Sequence, residues 1–117
     1  MELSTRVKNL KFATEIGQRE FDTNETIMQI VGMGKMAYWC WGVSKKINYY
    51  NKALMLQVNG RHHKGKVWIA LAWDDTYTVY ITTNQLKVLK TYEMVYFDML
   101  NGIIDGYIEN RRNEFND

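Results

Sequence analysis

Three stretches of strict two-residue alternation, separated by short polar connections, constrain this chain more than any other feature. Leu54, Leu56 and Val58, then Val67, Ile69, Leu71 and Trp73, then Tyr77, Val79 and Ile81 set an apolar side chain at every second position. That is the period of a strand with one buried face. Met36 to Val43 reads as a further strand ahead of them, with Ala37, Trp39, Trp41 and Val43 alternating with Met36, Tyr38, Cys40 and Gly42. Consecutive strands with short connections pair as antiparallel neighbours, so a four-stranded meander is expected.

The connections agree with that pattern. Asn59 to Gly65 is polar and bounded by glycine, and Asp74-Asp75-Thr76 makes a tight loop. Loop parity decides which residues share a face. A two-residue loop sets Trp73 opposite Thr76 and mixes the faces. An odd loop pairs Trp73 with Tyr77, Leu71 with Val79 and Ile69 with Ile81, giving one continuous apolar face. The odd loop is the expectation, although Thr is a poor residue for the left-handed position such loops use.

Helices are expected on either side of the strands. Asp22-Thr23-Asn24-Glu25 has the form of a capping box, Ile27, Ile30 and Val31 follow at helical spacing, and Gly32 and Gly34 end the run. Toward the C-terminus, Phe97, Leu100, Ile104 and Ile108, flanked by Tyr96, Ile103 and Tyr107, form an apolar stripe, with Asp98, Asn101, Asp105 and Glu109 opposite. This predicts an amphipathic helix of about fifteen to twenty residues over the apolar face of the sheet. Gly102 and Gly106 within it read as sites of close approach to the sheet. Residues 1–21 fit a helix or a strand, and 85–93 fit a fifth strand or a lead into the last helix. The expected architecture is α+β, ordered α-β-β-β-β-α, in a single domain over residues 1–117.

At 117 residues, 46% apolar and 24% charged, the composition is that of a compact folded domain. Its lone cysteine, Cys40, precludes an internal disulfide and predicts a reducing, cytoplasmic setting. The first residues lack an apolar targeting segment, and Met36 to Val43 is too short to cross a bilayer, so no membrane partner is expected.

No catalytic constellation is complete. Gly32-Met33-Gly34-Lys35-Met36-Ala37 satisfies the dinucleotide pattern G-x-G-x-x-A, but no acidic residue follows between Glu25 and Asp74 to hold a ribose. His62 and His63 are adjacent, and neighbouring side chains on extended backbone point apart. Asp74 and Asp75 lie at the other end of the same strand, roughly 25 Å away. Cys40, between Trp39 and Trp41, reads as a buried, inert thiol. Asp98, Asp105 and Glu109 read as a solvated stripe. No metal, cofactor or enzymatic activity is therefore expected.

Charge is distributed unevenly. Between Thr26 and Trp73 there are seven basic residues and no acidic one, whereas residues 74–117 hold eight acidic and four basic. The basic residues Lys45, Lys46 and Lys52 bracket Tyr49 and Tyr50, and Arg61, Lys64 and Lys66 bracket His62. Cations interleaved with aromatic rings are the equipment of a nucleic-acid surface, and Trp68 and Tyr80 on the second sheet face either add rings for stacking, are covered by the first helix, or form a sheet-to-sheet dimer contact. In a meander, however, alternate loops fall at opposite ends, which would separate the two clusters.

Two functions follow as expectations. One is a small intracellular, non-catalytic interaction protein, an adaptor or inhibitor binding a protein partner or a second copy as a homodimer. Four Trp, eight Tyr and seven Met in so short a chain motivate it. The other is nucleic-acid binding through the basic connections and aromatic stacking.

Overall fold

The computed structural model describes residues 5–109 and shows an α+β fold. Five strands, β1 (Lys45–Tyr49), β2 (Ala53–Asn59), β3 (Lys64–Leu71), β4 (Tyr77–Thr82) and β5 (Val88–Val95), form one antiparallel sheet in chain order. Helices α1 (Thr5–Ile16), α2 (Thr23–Met33) and α3 (Lys35–Cys40) precede the sheet. A 3-10 turn at Phe97–Met99 and helix α4 (Leu100–Ile108) follow it.

The alternating stretches are strands β2, β3 and β4. The connection between β3 and β4 has the expected odd length, but the register is two residues from the one predicted. Leu71 faces Tyr77, Ile69 faces Val79 and Val67 faces Ile81, so Trp73 is a loop residue open to solvent. The left-handed position falls on Asp75, at φ 68°, and not on Thr76. Asp tolerates that conformation better than a β-branched residue. Thr76 instead donates its backbone N–H and its hydroxyl to the Asp74 carboxylate, at 3.1 and 2.6 Å.

Met36–Val43 is not a strand. Most of it is helix α3, which turns Tyr38 and Trp41 inward with ring centroids 5.6 Å apart. Trp41 is fully buried, while Met36 and Trp39 face outward. Nearly every position in this run is apolar, so an alternating pattern exists in it by default and has no power to tell strand from helix. Cys40, at the end of α3, is exposed rather than buried. The first strand is instead Lys45–Tyr49, an edge strand whose lysines have the look of a loop; charged residues of this kind protect sheet edges from pairing. Its hairpin to β2 turns through Tyr50 (φ 54°) and Asn51 (φ 59°), both left-handed. That mirror-image geometry matches the twist of paired strands.

Each face of the sheet is covered separately. On one, Leu54, Leu56, Val67, Ile69, Val79 and Ile81 pack with Ile30 of α2, Trp41, and Leu100, Ile104 and Ile108 of α4. The C-terminal helix thus buries the predicted stripe, except for Phe97, which is exposed in the 3-10 turn. The described helix is shorter than predicted. Of the expected solvated stripe, Asp98 is exposed in the 3-10 turn, but the polar residues of α4 itself are engaged. Asn101 is buried and donates to the carbonyls of Ile30 (2.8 Å) and Gly34 (3.0 Å), satisfying groups left open at the end of α2. Asp105 accepts from the Trp41 indole at 3.0 Å. A side chain at Gly102 would meet open space, so that glycine serves no close approach.

The second face is covered by α1, from the segment whose sequence fits either helix or strand. Ala13 and Ile16 are buried against Ala53, Met55, Trp68 and Ala70, with Phe12 beside them. The Trp68 ring lies between Phe12 (centroids 4.9 Å) and Tyr49 (5.6 Å).

Candidate nucleic-acid interface

Strand β1 changes where the basic residues fall. Pairing sets Lys45 opposite Gln57, Gln57 opposite Lys66, and Lys66 opposite Thr82, so the start of β1, the end of β2 and the start of β3 share one end of the sheet. Lys45, Lys46, Arg61, Lys64 and Lys66 therefore all lie at that end, with Lys45 and Lys66 on the α1 face and Lys46, opposite Leu56, on the other. The 83–87 turn reaches the same end, where the Asn84 carbonyl accepts from the Lys66 ammonium at 2.8 Å. The expected 44–52 cluster is split, because Tyr49, Tyr50 and Lys52 lie at the far end of β1 and its turn.

Helix α4 fixes the loop that carries Arg61 and His62. The Ile108 carbonyl, at the helix end, accepts from the His62 N–H at 2.7 Å, and the Glu109 carboxylate accepts from the Arg61 N–H at 2.9 Å. Gly60 is required beneath them, since a Cβ there would collide with the Ile108 side chain. Glu109 is thus buried by a structural task rather than solvated.

Individual side chains at this end differ sharply. Lys66 is only 3% exposed. Burial, reinforced by the charge of Lys45, holds its pKa below that of an ordinary lysine. Lys45, Lys46, Arg61, His62 and Lys64 are exposed. His63 is buried against the Tyr107 ring, and burial lowers its pKa against the opposing pull of backbone groups of Lys66 and Thr82. Trp68 and Tyr80 do not form a stacking face. Trp68 is fully buried under α1 and donates to the Thr82 hydroxyl at 3.2 Å, and Tyr80 is half-buried beside Phe12.

Helix α1 contributes groups that the sequence did not single out. A cleft of about 380 Å³ between α1 and this end of the sheet is lined by Lys8, Asn9, Lys45, Gln57, Lys66 and Asn84, among others. A second, of about 520 Å³, continues along β1 beside Leu10, Ile47, Tyr49 and Tyr50. Both include Asn9 and Lys45. The helical period of α1 was a usable signal, since Asn9, Phe12, Ala13 and Ile16 repeat at three-four spacing, but a polar residue opens the stripe.

The remaining candidates stay apart. Asp74 and Asp75 lie at the end of β3 opposite the histidines, and among the described residues no three His, Cys, Asp or Glu side chains converge as a metal site. The glycines of the G-x-G-x-x-A pattern join helix α2 to helix α3, with no strand ahead of them. No described helix is long and apolar enough to cross a membrane. No protein family, curated protein or solved structure matches this chain.

Proposed function

We propose that the protein binds nucleic acid by its phosphates, through the basic end of the sheet. The observation that supports this reading is the register of β1, which brings Lys45 across Gln57 to Lys66 at the end of the sheet that also carries Lys46, Arg61 and Lys64. Such a basic end tracks a phosphate backbone without reading sequence, and its affinity falls with salt. Anisotropy of labelled single-stranded and duplex oligonucleotides at low and near-physiological salt tests it. Micromolar binding that weakens steeply with salt is expected, and removing one contacting lysine should reduce the logarithmic salt slope by about 0.7 to 0.9. Absence of binding at low salt refutes it.

A second reading, protein contact or self-association, rests on a different surface from the one the sequence suggested. The aromatic face with Trp68 is covered, but Met28 and Met33 of α2 and Met36 and Trp39 of α3 are exposed. Methionine and tryptophan are over-represented at adaptable interfaces. A mass in solution that rises with concentration in the wild type, and not in a Met36→Ser, Trp39→Ser double variant, is the outcome this reading requires.

A further inference from the structure

The groove between α1 and strand β1 changes character along its length. At its basic end stand three ammonium groups, Lys8, Lys45 and Lys66, none of which makes an ion pair among the described residues. The described lining residues there include no carboxylate. Lys66 has only a neutral carbonyl for a partner, and an ammonium withdrawn from water without a counter-charge is destabilising. An anion supplied from outside relieves that cost. Further along β1 the lining adds Leu10, Ile47 and Tyr50 beside Arg6 and Asn48, and Tyr50 is 75% exposed. Lys45, Ile47 and Tyr49 project to the same side of the strand, and Tyr50 follows in the turn and lines the same cleft, so one ligand lying along β1 spans from Lys45 to an exposed ring.

Asn9 stands where these two regions join. It is 5% exposed, and its side-chain carbonyl oxygen is buried with no donor among the described residues. Orphaned buried acceptors are rare and call for a partner. A ligand that fits all three observations carries an anion at one end, hydroxyl donors in the middle and a flat ring at the other.

The geometry points to a nucleotide in this groove, its phosphate among Lys8, Lys45 and Lys66, its ribose hydroxyls at Asn9 and its base against Tyr50. A terminal phosphate carries close to two negative charges at neutral pH, which suits a site of several cations better than an internal phosphodiester does. The inference builds on the reading of the basic end as a phosphate surface. Its ligand is either the phosphorylated end of a strand or a free nucleotide.

Calorimetric titration of the full chain with adenosine 5′-monophosphate, ribose 5-phosphate and adenosine tests it. The monophosphate should bind at least about tenfold tighter than either fragment. Asn9→Asp, which keeps the shape and adds a repelling charge, and the exposed-site variant Lys45→Ala should each weaken it by a similar factor. Tyr50→Ala should weaken the monophosphate but not ribose 5-phosphate. Equal affinity for the monophosphate and ribose 5-phosphate, or an unaffected Asn9→Asp variant, overturns the inference. Oligonucleotides with a 5′-phosphate or a 5′-hydroxyl separate the two sources, since a preference for the phosphorylated strand identifies a strand end and indifference identifies a free nucleotide. Oligonucleotide binding without monophosphate binding defeats this inference alone. Monophosphate binding without oligonucleotide binding defeats only the proposed nucleic-acid function.

Discussion

At one end of the sheet the 60–63 and 83–87 connections and the start of β1 gather Lys45, Lys46, Arg61, Lys64 and Lys66. At the other, Asp22 and Glu25 of the α2 start act on Tyr77, near the loop with Asp74 and Asp75. The two ends differ in more than sign. Asp22 accepts from the N–H groups of Asn24 and Glu25 and caps α2, Asp74 closes its loop through Thr76, and Asp75 pairs with Arg19. The acidic end thus uses its charges to hold its own backbone. At the basic end the backbone is held by Ile108 and Glu109, and Lys8, Lys45 and Lys66 are left without ionic partners among the described residues. Charges engaged in local structure and charges left over for a ligand look identical in a sequence and are told apart by their partners.

The contrast is easiest to break by reversing charge. Lys45→Glu combined with Lys64→Glu should weaken oligonucleotide binding by two orders of magnitude or more at low salt, an estimate of about 100-fold from the loss and reversal of two phosphate contacts. Asp74→Lys at the far end should leave the affinity within a factor of about two under the same anisotropy assay, since more than a Debye length of about 10 Å separates the ends. Similar losses from both would mean that net charge, not the patch, drives binding.

Gly60→Ala probes how the basic loop is held. Forcing a Cβ against Ile108 should cost about 1–3 kcal/mol, read as a lower urea midpoint with an unchanged slope. Binding should fall as the loop shifts from α4. Unchanged stability would show that the loop does not depend on the helix end.

Acid should act at the basic end through His63. Its folded-state pKa lies below the ordinary 6.5, so the stability it contributes is present above 6.5 and is lost as pH falls through the lowered value. The urea midpoint of the wild type should drop between pH 7 and pH 5. His63→Gln should flatten that drop, whereas His62→Ala, at an exposed site, should retain it. The smallest effect belongs to Arg19→Ala at the acidic end, where loss of an exposed ion pair should cost about 0.2–1 kcal/mol in chemical denaturation and leave oligonucleotide affinity unchanged.

Strands β2, β3 and β4 were legible because the aliphatic positions Leu54, Leu56, Val58, Val67, Ile69, Val79 and Ile81 recur at every second residue in three runs separated by polar connections. Helix α3 was not, because Tyr38, Trp39 and Trp41 sit in a run where every phase is apolar. Edge strand β1 hid behind Lys45 and Lys46, and helix α1 behind Asn9, in each case because a polar residue occupies an element that a simple pattern expects to be apolar. The same two omissions concealed the site. The cations were visible from the missing carboxylates between Thr26 and Trp73, but their gathering at one end of the sheet depends on β1 pairing, and the groove depends on α1. Trp68 and Tyr80 fit stacking and helix cover equally well in the sequence, and the choice rests on α1, whose segment fits either helix or strand.

The groove also has an order of manufacture. The residues of its basic end run from Lys8 to Leu86, so its first wall leaves the ribosome 78 residues ahead of its last. At about 5–20 residues per second, that gap lasts several seconds. For most of it α1 lacks the β2 and β3 residues it lies on, and throughout nearly all of it Lys66 lacks the Asn84 carbonyl it rests against. A nascent chain therefore carries its basic segments before the cleft between them exists, and the cleft is complete only when the turn after β4 has been made.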